Sequence, residues 1–194
     1  MISRVLLVVP PLVNVDEEVL TSSDGSGFEK HRLLSPVEPT SVAADLLNRG
    51  FEVRIFDLGT YRAGRFDKLA ECISNFQPDA VVAVQSVLTF ATAQDWDCKK
   101  VFDIASDGHD GVVRVLTGIH ATNYPGRAVT DGVCDFSIKG EVDFAVGDLL
   151  TALNEEAELS SLPGLAYRES GGDGEVNVSL EYPAVDLAKL PMPA

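Results

Sequence analysis

Apolar residues along this chain gather into short, nearly unbroken runs, separated by longer stretches in which they recur with helical spacing. The runs are Val5–Val9, Phe51–Phe56, Ala80–Val84, Val112–Leu116 and Phe136–Ile138. Residues apolar in succession rather than in alternation suit strands buried on both faces. Between the runs lie candidate helices at Thr40–Arg49, Asp67–Asn75, Ala91–Ala105, Pro125–Asp131 and Val142–Asn154. In the first of these Val42, Ala43, Leu46 and Leu47 form one stripe, and Gly50 follows as a stop signal. Strand and helix alternating in this way predict a doubly wound α/β domain with a five-stranded parallel sheet. Its ligand crevice is expected at the carboxyl ends of the strands.

Two stretches leave the pattern. Asn14–Pro39 follows the first strand with Asp, Glu, Ser and Gly in place of periodic apolar residues. A connection that long, leaving from the ligand edge of a compact domain, is commonly functional. Beyond Glu155, Gly164–Arg168 and Glu175–Leu180 predict two strands joined through Glu169–Gly174, a small C-terminal β-hairpin. The chain therefore divides into a principal domain over 1–155 and a hairpin extension and linker over 156–194. Leu190-Pro191-Met192-Pro193-Ala194 continues neither a helix nor a central strand.

Composition narrows the function. The 194 residues are enough for one full core, and a net charge of −15 repels phosphate backbones and anionic lipid, so neither nucleic acid nor a membrane is an expected partner. The opening Met1–Pro10 is too short for a signal-peptide core or a span, and a cytoplasmic protein is expected. Cys72, Cys98 and Cys134 are odd in number and widely dispersed; small buried thiols, not disulfides or metal ligands, are the expectation.

Several chemistries are absent from the pattern. The turn after the first strand, Pro10-Pro11-Leu12-Val13-Asn14, is no Gly-rich phosphate loop, and there is no Gly-x-Ser-x-Gly elbow. His31, His109 and His120 are not spaced with the cysteines as a zinc site. What remains is a rim of small and polar residues at the predicted strand ends. It comprises Pro10, Pro11 and Asn14; Asp57; Gln85-Ser86-Val87-Leu88-Thr89; Thr117-Gly118-Ile119-His120; and Lys139-Gly140-Glu141. Gly118 and Gly140 suit a bulky ligand that approaches the backbone, and Ser86 and Thr89 offer hydroxyls. The same residues also suit ordinary strand-to-helix turns with Ser, Thr and Asp as caps.

Seven segments in order carry a resemblance. They are Val5-Leu6-Leu7-Val8-Val9-Pro10-Pro11; Asn48-Arg49-Gly50-Phe51-Glu52-Val53-Arg54-Ile55-Phe56-Asp57; Gln77-Pro78-Asp79-Ala80-Val81-Val82-Ala83-Val84; Gly118-Ile119-His120-Ala121-Thr122; Cys134-Asp135-Phe136-Ser137-Ile138-Lys139-Gly140-Glu141; Leu162-Pro163-Gly164-Leu165-Ala166-Tyr167-Arg168; and Leu190-Pro191-Met192-Pro193-Ala194. Together they resemble the cobalamin-binding, N-terminal domains of cobalamin-dependent radical S-adenosylmethionine proteins. The resemblance implies a flavodoxin-like, Rossmann-like fold whose rim loops hold the corrin. By position the cradle would be Pro10, Pro11, Leu12, Val13 and Asn14; Ser86, Val87, Leu88 and Thr89; Gly118, Ile119 and His120; and Gly140, Glu141 and Val142. It also implies a cobalamin whose tail is displaced from cobalt with no histidine in its place. Asp107-Gly108-His109-Asp110-Gly111 only imitates the histidine motif and precedes the fourth strand.

This sequence departs from the family at two points. Thr117-Gly118-Ile119-His120 keeps one glycine where the family writes two and a proline, and Val142-Asp143 stands where a second acidic residue often follows Gly-Glu. The chain has no Cys-x-x-x-Cys-x-x-Cys, and clusters need cysteine thiolates. The iron–sulfur cluster and S-adenosylmethionine are therefore expected only in a missing or partner radical domain, in cis or in trans, and no catalysis is expected from this chain alone. The expectation is a cobalamin-binding module of a radical methyltransferase or related radical enzyme. The alternatives are a receiver-like signalling domain and a flavin-binding carrier. The first would need an acidic pair after the first strand, the second phosphate-binding residues there, and Pro10-Pro11 supplies neither.

Overall fold

The computed structural model describes residues 1–10, 37–61, 64–85, 95–169, 174–182 and 185–192. Its strands are β1 (Arg4–Val9), β2 (Glu52–Asp57), β3 (Ala80–Gln85), β4 (Val113–Gly118), β5 (Phe136–Ile138), β6 (Leu165–Arg168) and β7 (Val176–Val178). The helices are α1 (Val37–Asn48), α2 (Arg65–Phe76), α3 (Asp95–Gly108), α4 (Ile119–Asn123), α5 (Arg127–Thr130) and α6 (Ala145–Asn154). All strands join one seven-stranded sheet in the order β2-β1-β3-β4-β5-β6-β7. β1 to β5 run parallel, and β6 and β7 are antiparallel additions.

The five-stranded parallel sheet is thus present, and the C-terminal hairpin is its continuation. Phe136, Ser137 and Ile138 pair with Tyr167, Ala166 and Leu165. Leu165 and Ala166 are buried there, so the hairpin covers an edge that would otherwise be open. From β1 the chain crosses first to β2 and then back to β3 on the other side, which makes the gap between the β1 and β3 ends the topological switch point.

Successive side chains of a strand point to opposite faces, and the doubly apolar runs fill two cores. Val5 and Leu7 pack with Val42 and Leu46 of α1 and Val146, Leu149 and Leu150 of α6. Leu6 and Val8 pack on the other face with Leu69 and Ile73 of α2 and Val101 and Phe102 of α3. Burial of each such side chain contributes about 1.5–3 kcal/mol.

Several boundaries differ from those expected. α1 starts at Val37, three residues before Thr40, because Pro39 is tolerated in a first turn. α3 runs to Gly108, while the expected start at Ala91 lies outside the described residues. The helix expected over Pro125–Asp131 is the shorter α5, preceded by the unanticipated α4. α6 starts at Ala145, leaving Val142 in the loop before it.

Candidate ligand-binding rim at the carboxyl edge of the sheet

Each described strand end brings one rim residue to this edge. Pro10 is buried directly after β1. Asp57, closing β2, accepts the Gly59 N–H at 2.7 Å and caps the 3-10 turn Leu58–Thr60, and burial pushes its carboxyl above the usual range. Gln85, closing β3, is 3% exposed. Its Nε2 donates to Cys98 Sγ at 3.2 Å, and its Oε1 is buried with no hydrogen-bond partner.

Gly118, closing β4, lies opposite Gln85 in register and has φ +93°. A Cβ there would stand 1.8 Å from the Gln85 backbone oxygen. The glycine is therefore demanded by the neighbouring strand, a reason independent of any ligand. Ile119 and His120 open α4, and the His120 ring lies 5.2 Å from that of Tyr124.

Thr122, on α4, joins two of the rim loops. Its hydroxyl donates to Gly118 O at 2.8 Å and accepts the Gly140 N–H at 2.9 Å. Gly140 has φ +82°, a conformation glycine adopts freely. Next to it Lys139 is 5% exposed. Its ammonium donates to Leu180 O and lies 4.2 Å from the Tyr182 ring centroid, while its backbone N–H donates to Gly164 O at 3.0 Å. The chain beyond β7 is thereby tied to the end of β5.

The structure thus brings Gly118, Ile119 and His120 together with Gly140 through Thr122. Glu141 is exposed, whereas Val142 turns inward and packs beside Leu149 and Val146, where it serves the core. Burial, with the charges of Glu141 and Asp143, raises the Glu38 carboxyl at the start of α1, so that helix end faces the Gly140–Asp143 loop. Pro11, Leu12, Val13, Asn14, Ser86, Val87, Leu88, Thr89 and His31 lie outside the described residues. His109 follows α3, at the amino edge and away from the rim.

Two of the three thiols are buried as expected, while Cys72 is only partly buried. Cys98 and Cys134 are buried, and burial pushes Cys134 up to about 12, far from a reactive thiolate at neutral pH. Among the described residues no group of His, Cys, Asp and Glu is placed to hold a metal ion. No described helix is long and apolar enough to cross a membrane.

Sequence reasoning put Gln85 and Lys139 on the rim without a role and omitted Thr122 from the cradle. The available signals were a glutamine ending an otherwise apolar strand and a lysine directly after the apolar run Phe136–Ile138.

No family model matches the chain. An uncharacterized methyltransferase of Pyrococcus horikoshii is 26% identical over 171 residues, 88% of this chain and 34% of that protein. The radical S-adenosylmethionine methyltransferase TsrM from Kitasatospora setae, solved with cobalamin and a [4Fe-4S] cluster bound, superposes with TM-score 0.69 and 21% identity over 92% of this chain and 31% of its own. The cobalamin-dependent S-adenosylmethionine radical enzyme OxsB, solved with aqua-cobalamin bound, gives TM-score 0.69 and 14% identity over 99% of this chain and 24% of its own. The chain spans about a third of the curated relative and less than a third of each solved chain. These structures establish the Rossmann-like fold, and both are of the class of protein to which the sequence resemblance points.

Proposed function

We propose that this chain is a cobalamin-binding module of a radical S-adenosylmethionine methyltransferase or related radical enzyme. The supporting observation is a fold shared over nearly the whole chain with two cobalamin-bearing structures, joined to a methyltransferase relative. Neither alternative, receiver-like or flavin-binding, gains support from these likenesses.

The rim chemistry fits a large, amide-bearing ligand. Gly118 and Gly140 present bare backbone at the ends of β4 and β5, and the unpaired Oε1 of Gln85 is an acceptor at the end of β3. The proposed cradle is Pro10 to Asn14, Ser86 to Thr89, Gly118 to His120 and Gly140 to Val142, with Thr122 holding the last two loops in register. Within it Val142 supports the loop from below rather than touching the ligand.

When bound, the cofactor supplies a cobalt centre able to carry a methyl group or support another radical reaction. The chain's own part is to bind and orient the cofactor. Of the described histidines neither is assigned to the cobalt: His109 belongs to the opposite edge, and His120 is packed beside Tyr124. In keeping with the sequence resemblance, a bound cobalamin would hold its nucleotide tail away from the cobalt. The iron–sulfur cluster and S-adenosylmethionine belong to a radical domain in cis or in trans, approached through the 156–194 extension.

The test is an absorption spectrum of the full chain mixed with hydroxocobalamin and then desalted. A corrin band eluting with the protein is the expected result. A protein fraction without it overturns the reading.

A further inference from the structure

We propose that Gln85 is a cofactor-binding residue whose side-chain carbonyl accepts an N–H from a carboxamide of the ligand. The proposal rests on the cobalamin reading and deepens it. β3 reads Ala-Val-Val-Ala-Val-Gln and is buried throughout, so a glutamine is the single polar side chain in the strand. It is 3% exposed, and its Oε1 has no partner.

An unsatisfied buried carbonyl costs about 1–3 kcal/mol, and a leucine or methionine of similar size would avoid that cost. A native chain that keeps such a group has a use for it. Two features indicate the use. Gln85 ends the strand that borders the switch point, the place where ligands of this fold class bind. Its amide is also held weakly: among the described residues Nε2 donates to the thiol sulfur of Cys98, a poor acceptor, at 3.2 Å. The terminal torsion of glutamine is broad, so the amide can turn towards a ligand at the loss of that single weak bond.

Among the described residues, the neighbouring hydroxyls do not compete for the vacant carbonyl. Thr117 Oγ1 donates to Ala83 O at 3.3 Å, and Thr122 serves Gly118 and Gly140. The partner sought is an N–H donor, and the corrin periphery is ringed with carboxamides, each with two N–H donors and an acceptor, which match the amide of Gln85 group for group.

The test compares the parent chain with Gln85→Leu and Gln85→Met, by spectrophotometric titration with hydroxocobalamin and by thermal melting without ligand. Removing one hydrogen bond to the ligand is expected to weaken binding about tenfold while the melting temperature stays level or rises. Dicyanocobinamide, which keeps the corrin amides and lacks the nucleotide tail, is expected to show the same loss. Should Gln85→Leu fail to fold, Gln85→Met carries both readouts. Variants that melt lower yet bind cobalamin as well as the parent overturn the proposal, as does undiminished binding of dicyanocobinamide. A parent that retains no cobalamin overturns the reading beneath it, and the proposal with it.

Discussion

The two edges of this sheet are built on different principles. At the amino edge, carboxylates and amides tie down strand entries. Asp79 Oδ2 accepts the backbone N–H groups of Ser3 and Arg4, each at 2.8 Å, and the Ser3 hydroxyl at 2.9 Å. Asn154 makes a two-way contact with Ile2, accepting at 2.6 Å and donating at 2.8 Å. Asp135 grips the Arg114 guanidinium through both its oxygens and accepts the Arg114 N–H as well. At the carboxyl edge stand glycines at positive φ, an unpaired amide at Gln85, and carboxyls at Asp57 and Glu38 that burial pushes up. One edge satisfies its polar groups; the other keeps costs that a purely structural sequence would remove. Such local inconsistency concentrates where ligands bind.

The largest expected effect would break this division, because it places a structural demand on the ligand edge. Gly118→Ala would drive a Cβ to 1.8 Å from the Gln85 backbone oxygen and force alanine to φ +93°. A loss on the order of 3 kcal/mol or more is expected, since backbone cannot yield as a side chain can. The check is the urea midpoint of the ligand-free chain. A midpoint within error of the parent's would show that β3 and β4 separate freely at this end, and that the glycine is there for a ligand after all.

A smaller effect would sharpen the comparison at the outer end of the same edge. Lys139→Met keeps the aliphatic stem and removes the ammonium that holds Leu180 O and faces Tyr182. A charge-assisted hydrogen bond that is partly buried is worth about 1–2 kcal/mol. The loss should be local. The Ser179 N–H, bonded to Leu165 O at 2.9 Å, should exchange with deuterium at least several-fold faster, while amides of β1 and β3 keep their protection. Unchanged exchange at Ser179 would mean that pairing with β6 alone secures the segment.

These contrasts were unevenly legible in the sequence. β1 and β3 stand out because central parallel strands must be apolar on both faces, and their runs, Val5–Val9 and Ala80–Val84, have no other reading. β5 has only three residues, too few to announce that β6 would pair with it, so the hairpin looked detached from the sheet. α4 was invisible because Ile-His-Ala-Thr-Asn is shorter than two turns and carries no period. At the rim, Gly118 was placed correctly for an incomplete reason: its need comes from the adjacent carbonyl of Gln85, a contact between residues 33 apart that no local pattern encodes. Val142 enters the cradle by its position in the resembled family, and its burial beside Val146 and Leu149 is a contact that no local pattern encodes.

The smallest expected effect sets the two edges against each other in sign. The backbone and hydroxyl hydrogen bonds from Ser3 and Arg4 hold the Asp79 carboxyl below its usual range. A depressed carboxyl contributes stability that is present above the unfolded-state pKa, about 4, and is lost as the pH falls through the lower folded value. Burial raises Asp57 instead, with only the Gly59 N–H opposing it. A raised carboxyl contributes stability that is present below the unfolded-state pKa and lost as the pH rises through the folded one, so at pH 7 Asp57 bears a net cost. Asp79→Asn should therefore lower the urea midpoint at neutral pH. Asp57→Asn keeps the cap on Gly59, because asparagine caps as well as aspartate, and should raise the midpoint, each by about 1 kcal/mol or less. The Asp79 difference should shrink as the pH falls below about 4 towards the lower folded value, whereas the Asp57 difference should shrink as the pH falls through its raised folded value and be gone by about pH 4. Two variants shifting in the same direction at pH 7 would show that the edges share one electrostatic character, and that the contrast between them lies in the glycines and Gln85 alone.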